Sequence, residues 1–225
     1  MEVPPVETWD GVLEGEEATY TEAVEIALKA ALQGNAMAQY FLGTAFYFGK
    51  GVPVDLKQAF EWYFKAATQG LPHAQYNLGV MYEGGEACTQ SHEKAFLWYE
   101  KAAAQGLAKA QHNLAVFWEA GWGTPKNIKK AAHHFEEAAH KGDVRAQYRL
   151  ALLWLKGEEL PLHIQEGLQW LQKAVEQNFA PAKYTLGVLV EHGIGLKQNL
   201  QEARRLYEEA ALGGLPEAKA ALERL

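Results

Sequence analysis

Apolar residues recur along this chain at helical spacing, twice in every 36 residues. From Ala38 to Gly70 the pattern can be read directly. Ala38, Leu42 and Phe46 fall four apart, which predicts one face of a helix A from about residue 35 to 48. Ala59, Trp62, Tyr63, Ala66 and Ala67 mark one face of a helix B, running from Asp55 to about residue 69. Gly49-Lys50-Gly51-Val52 breaks the pattern between them, and Gly70 ends the second helix. Gly49 has equivalents at Gly85, Gly121, Gly157 and Gly193, a slot suited to the left-handed residue that terminates a helix. Asp55 is matched by Ser91, Asn127, His163 and Asn199. All but His163 carry a short side-chain oxygen that can accept from an unpaired N–H at a helix start.

The period is strict. Gly34, Gly70, Gly106, Gly142, Asn178 and Gly214 are 36 apart, and so are Ala38, Ala74, Ala110, Ala146, Ala182 and Ala218. A fixed period of this length predicts stacked units sharing one continuous core rather than a single globule. The units fall at 35–70, 71–106, 107–142, 143–178 and 179–214. A half-repeat at 19–34 precedes them, opened by a Thr19-x-x-Glu22 capping box, and a capping helix at 215–225 follows. Alanines with Gly43 or Gly79 allow close helix approach. Trp62, Trp98 and Trp170, with Tyr63, Tyr99, Phe135 and Tyr207, are expected to fill the space between repeats. Trp98→Ala then costs about 3–5 kcal/mol if the ring is buried.

Charge refines this picture. The net charge is −7 over 225 residues, and residues 1–20 carry six acidic side chains and no Lys or Arg. Residues 1–18 are read as a flexible acidic tail, although Trp9, Val12 and Leu13 could dock on the first helix; residues 19–225 form the solenoid, close to neutral. No basic stripe marks a nucleic-acid binder, and no apolar run reaches the ~20 residues of a membrane helix. No signal peptide is visible, and the single Cys88 provides no internal disulfide, so the expected compartment is cytoplasmic.

The phrase Ala-Gln-Tyr-x-Leu-Gly, then Gly-x-Gly-Val, an N-cap, Trp-Tyr, Ala-Ala and Gly, returning every 36 residues from 19 to 225, resembles the Sel-1-like repeat, a relative of the tetratricopeptide repeat. The resemblance implies an all-α, right-handed α/α superhelical solenoid whose A helices line a concave surface. It also implies a non-enzymatic adaptor that acts as a monomer and binds a protein or peptide, without cofactor. Glu159 and Gly167 in the fourth repeat, and Ala87-Cys88-Thr89 in the second, depart from the pattern. A cysteine-rich bacterial branch carries a disulfide in each repeat, and those cysteines are missing here. A penicillin-binding or penicillin-hydrolysing protein of that branch is the runner-up reading, and a self-assembling solenoid the third.

Candidate chemistry is sparse. Glu136-Glu137, Glu158-Glu159 and Glu208-Glu209 are adjacent on their helices and point different ways. His133, His134 and His140 form the one histidine cluster, but His133 and His140 are separated by ~10 Å of helix rise and read as surface residues, with no metal. Cys88 lacks a neighbouring base pattern. On the A helices, positions aligned with 37, 41, 44 and 48 are expected to face the groove. His73, Asn77, Lys109, Asn113, Arg145 and Arg149 then form a polar stripe suited to an acidic segment, because Arg grips carboxylates bidentately. Trp122, between Gly121 and Gly123, is the candidate exposed anchor outside the groove.

Overall fold

A computed structural model of the chain describes residues 17–157 and 161–225, with 17–19 by backbone alone. The expectations for the tail as far as Glu16 and for the Glu158-Glu159 pair lie outside the described residues. The described residues form twelve helices and no strand. In chain order these are α1 (Glu17–Leu32), α2 (Ala36–Phe48), α3 (Leu56–Thr68), α4 (Pro72–Gly84), α5 (His92–Ala104) and α6 (Ala108–Ala120). There follow α7 (Ile128–His140), α8 (Val144–Lys156), α9 (Ile164–Glu176), α10 (Ala180–His192), α11 (Leu200–Leu212) and α12 (Pro216–Arg224).

The punctuation that sets these lengths is local. Asp55, Ser91, Asn127 and Asn199 each accept from a backbone N–H in the first turn of α3, α5, α7 and α11, while His163 makes no such bond at α9. Gly49, Gly85, Gly121, Gly157 and Gly193 end their helices in the left-handed conformation, φ 64–76°. Ala87 takes the same conformation at φ 57°, in the slot of Gly51 and Gly123. Thr19 does not begin α1. The helix is already formed at Glu17, because Glu17 and Ala18 are good helix formers that extend it by a turn fraction.

The chain divides into two compact units, Met1–Lys126 and Asn127–Leu225. In the first, each helix from α1 to α6 packs on the next; in the second, the same holds from α7 to α12. Alanine makes this possible. Ala27, Ala38, Ala45, Ala66 and Ala74 are fully buried, so backbones meet closely and rings fill what remains. Tyr63, Tyr99 and Tyr207 are the largest fully buried side chains. Each sits on a glycine of the preceding helix: a Cβ at Gly43, Gly79 or Gly187 would stand 2.5–2.7 Å from the ring. Trp62 is buried, but Trp98 and Trp170 are only half-buried, each with a lysine over its ring (Lys101 at 4.2 Å, Lys173 at 3.9 Å). Trp98→Ala therefore costs less than the full buried-ring figure.

The glutamine of the recurring phrase has a structural task. Gln39, Gln75 and Gln147 are buried, and each donates from Nε2 to a carbonyl ending the previous helix: Ala31, Ala67 and Ala139, at 3.1–3.2 Å. Each Oε1 accepts from a glutamine one helix later, Gln69, Gln105 or Gln177, at 2.7–2.9 Å. The side chain thus gives each buried helix-end carbonyl a further partner, beside the backbone N–H of Gly34, Gly70 or Gly142 at 3.0 Å, and ties one helix end to the next. In the last repeat Lys183 replaces it and reaches Asn178 Oδ1 at 2.9 Å and Glu209 at 2.8 Å.

Candidate functional site

In the first unit a pocket of about 290 Å³ opens between α2 and α4. Its walls are the rings of Tyr40, Tyr47, Phe48, Tyr63 and Tyr76, with Val80; Thr44 and Asn77 supply polar atoms. Phe48 is the last residue of α2 and stands at the rim, 62 % exposed, with its ring edge-on to Tyr47 at 4.9 Å. The floor is held by hydrogen bonds. Tyr63 donates its hydroxyl to Thr44 Oγ1 at 3.1 Å, and Thr44 donates to the Tyr40 carbonyl at 3.1 Å. Asn77 also bonds the Tyr63 hydroxyl. Burial pushes the Tyr63 phenol well above its ordinary range, so it stays a neutral donor. Tyr47 donates to Glu86, whose carboxylate raises the Tyr47 phenol.

The six residues of the predicted stripe lie on three helices, α4, α6 and α8. His73 is exposed on the first turn of α4, its ring 6.1 Å from Tyr40, and Asn77 lies one turn on at the pocket wall. Lys109 is exposed on α6, and half-buried Asn113 lies one turn beyond it. Asn113 bonds the Tyr99 hydroxyl and stands 3.2 Å from His112 Nδ1. Tyr99 itself donates to Glu83 at 2.5 Å, and burial, then Glu83, raise its phenol out of reach of titration. In the second unit, Arg145 is exposed and paired loosely with Asp143 at 3.8 Å, while Arg149 is half-buried on α8. Phe41 does not face a groove. It is 2 % exposed, packed against the alanine face of α1. Trp122 is 42 % exposed, its ring stacked on His92 at 5.3 Å and edge-on to Phe117 at 5.6 Å.

Thr44, Tyr47 and Phe48 carry the α2 side of the pocket; positions 44 and 48 are among those expected to face the groove, while Tyr47 was missed. The signal was present in the repeat columns: the same three slots hold Val80, Glu83 and Gly84 in the next repeat, and Val116, Glu119 and Ala120 in the one after. The penicillin-reactive reading expects a Ser-x-x-Lys motif, thought to be missing from the chain, but the spacing does occur, at Ser91 and Lys94. Here Ser91 is the N-cap of α5. Its Oγ donates to Glu93 at 2.9 Å and accepts from the Lys94 backbone at 3.3 Å, while Lys94 Nζ lies 5.3 Å from the centre of the Tyr82 ring. That arrangement caps a helix and gives the hydroxyl no lysine base.

The model of the Sel1 repeat matches at 13–35, 36–71, 72–107, 108–143, 144–179 and 180–215, which is nearly the whole chain. The chain belongs to the Sel1 repeat family. Among solved structures, a Sel1 repeat protein from Oxalobacter formigenes is 29% identical, over 98% of this chain and 87% of that one, with a TM-score of 0.89. A protective antigen of uropathogenic Escherichia coli strains, displaying an SLR fold, is 28% identical with a TM-score of 0.85. The alignment covers 96% of this chain but 50% of the E. coli protein, so this chain spans half that protein's length. The immunity protein Pa5087 from Pseudomonas aeruginosa, 20% identical over 94% of this chain and 84% of its own, shares the fold at a TM-score of 0.54. No curated protein matches by sequence. The fold class is therefore the all-α, helix–turn–helix solenoid of Sel1 repeats, a family whose members often serve as scaffolds for protein–protein interaction and are typically non-catalytic. No helix among the described residues is long and apolar enough to cross a membrane.

Proposed function

We propose that this Sel1 repeat protein is a non-catalytic adaptor that holds a segment of a partner protein on its A-helix surface. The observation that carries this reading is the pocket between α2 and α4. It offers about 290 Å³ behind five aromatic rings, enough for one large apolar side chain. Rings held by hydrogen-bonded hydroxyls lose little freedom on binding, which favours an anchoring role. The pocket is particular to this repeat, since Thr44, Tyr47 and Phe48 are not repeated at the next two units. Asn77 at its wall and His73 and Lys109 beyond it supply polar contacts to the partner's backbone or acidic side chains. Arg145 and Arg149 do the same on the second unit, and Trp122 provides a separate aromatic contact.

Selection from a random peptide display library tests this. The expected winners share one large aromatic or aliphatic residue, and Phe48→Ala or Asn77→Ala weakens them by roughly tenfold or more, as loss of an interface anchor does. Winners that bind both variants as tightly as the natural chain would sink the pocket as the anchor. If those winners are lost instead in Arg145→Ala or Arg149→Ala, the second unit carries the adaptor role.

A further inference from the structure

Helix α7 carries a feature that the adaptor reading does not use. His133 and His134 are adjacent, and Glu137 follows four residues after the first and three after the second. Both spacings bring side chains onto adjoining turns of one helix face, so a single carboxylate is addressed by two imidazoles. Glu137 Oε2 lies 3.1 Å from His134 Nδ1 and 4.0 Å from His133 Nε2. The three donor atoms all lie within 4.8 Å of one another.

Those separations suit a shared cation. Two ligand atoms bound to one zinc ion at about 2.0–2.1 Å each stand about 3.4 Å apart in a tetrahedral site and about 4.2 Å at most. Both distances to Glu137 lie near or within that span, and the imidazole–imidazole separation closes by rotation of His133, whose side chain is 65% exposed. The requirement that ruled out His133 with His140 was reach along the helix; Glu137 removes it by standing beside both His133 and His134. A second carboxylate–imidazole pair, Glu136 and His140 at 3.9 Å, lies on the same helix. It adds negative potential near the site, opposed by the exposed ammonium groups of Lys129, Lys130 and Lys141.

We propose that His133, His134 and Glu137 bind a late first-row divalent cation on the surface of α7. Two neutral imidazoles and one carboxylate form a nitrogen-rich donor set that favours zinc, nickel or copper over magnesium or calcium. Three protein ligands leave at least one position for water or for a carboxylate or imidazole of a partner, so the bound ion is also a point of attachment. Binding ties two consecutive turns of α7 together, and a cation that binds only the folded state raises its stability.

The test uses the full chain without a histidine tag, stripped of metal and titrated calorimetrically with zinc chloride. One saturable site is expected, with His133→Ala, His134→Ala and Glu137→Gln each weakening it by at least about tenfold. Cys88→Ser and His140→Ala are expected to leave it intact, and the melting temperature of the natural chain, but not of Glu137→Gln, is expected to rise with zinc. These substitutions lie at exposed or half-exposed positions, and a circular dichroism melt without metal verifies folding. The proposal is overturned by the absence of saturable binding, by binding that survives Glu137→Gln unchanged, or by binding that is lost in Cys88→Ser.

Discussion

Replacing Gly43 with alanine should destabilise the protein although it improves helix propensity. A methyl group there would lie 2.5 Å from Cδ1 and 2.7 Å from Cε1 of Tyr63, whereas carbon atoms rest about 3.5–4.0 Å apart. The ring must therefore retreat by about 1 Å. That shift disturbs what holds the ring: Tyr63 is buried, its hydroxyl is tied to Thr44, and the Tyr40 ring lies 5.8 Å away. Overpacking of this kind costs about 1–3 kcal/mol, and alanine recovers about 1 kcal/mol of helix propensity. The net loss expected is about 0–2 kcal/mol. Tyr63→Leu alone loses ring packing and a hydroxyl bond, about 2–3 kcal/mol together. In the double variant the methyl has room and the propensity gain remains, so Gly43→Ala/Tyr63→Leu should be no less stable than Tyr63→Leu. The chain contains this combination already: Ala151 and Leu171 occupy the same two slots in the fourth repeat and share one core cluster. Urea unfolding of all four proteins, followed by circular dichroism, gives the coupling energy. Additivity within about 0.5 kcal/mol, or a stabilised Gly43→Ala, would refute the steric argument.

Further outcomes follow from the same contacts. Gln75→Leu strips a partner from the Ala67 carbonyl and from Gln105, and should cost about 1–3 kcal/mol in urea unfolding. The bond from Lys183 is the largest influence holding the Glu209 carboxyl below its usual range. A depressed folded pKa adds stability above the unfolded value and loses it as pH falls through the folded one. The acid-side fall in melting temperature should therefore be shallower in Lys183→Gln, and an unchanged slope would count against the pair. Burial raises the Cys88 thiol, with Sγ directed at the Met81 carbonyl at 3.5 Å. Iodoacetamide should therefore alkylate Cys88 more slowly than glutathione at neutral pH, as read by mass spectrometry. Ala87 holds a left-handed backbone, so Ala87→Gly should stabilise by up to about 1 kcal/mol, measured as a shift in the urea midpoint.

What could be read from the sequence was whatever depends on a residue and its near neighbours. The αL glycines from Gly49 to Gly193 and the caps from Asp55 to Asn199 act within one turn, so spacing alone locates them, and the helices begin and end within a residue or two of expectation. Phe41 shows where this stops. Its slot holds Asn77 and Asn113 in later repeats, and the shared column suggested a shared exposure. The neighbour differs, because α2 packs on the alanine-rich α1 and has room for a ring. The pocket escaped for a related reason: Thr44, Tyr47 and Phe48 matter only with Tyr76 and Asn77 of the next helix opposite them. One long-range rule was nonetheless written in the chain. Gly43, Gly79 and Gly187 each have Tyr twenty residues on, whereas Ala115 and Ala151 have Phe135 and Leu171. A phenol whose hydroxyl must reach the preceding helix, to Thr44, Glu83 or Glu191, is drawn down onto that helix's backbone, and only glycine leaves it space.

This rule bears on where recognition can arise. A stack of identical units would offer a ligand the same surface at every step and could not set its register. The residues that repeat here, the alanines, the buried glutamines and the glycine–tyrosine pairs, are those the packing requires. Register must come from columns that the packing leaves free to vary. The slot of Phe48 is such a column: it reads Phe48, Gly84, Ala120, Lys156 and His192, and all but Gly84 and Ala120 are long side chains of different chemistry. Every one of these residues is exposed, so no packing demand holds any of them in place. A graft tests the inference. Glu83→Tyr and Gly84→Phe together rebuild the aromatic rim one repeat later and leave Val80, a wall of the first pocket, unchanged, and a peptide selected on the natural chain should then bind in two registers, giving a stoichiometry above one. A stoichiometry that stays at one would mean that the pocket depends on more than these columns.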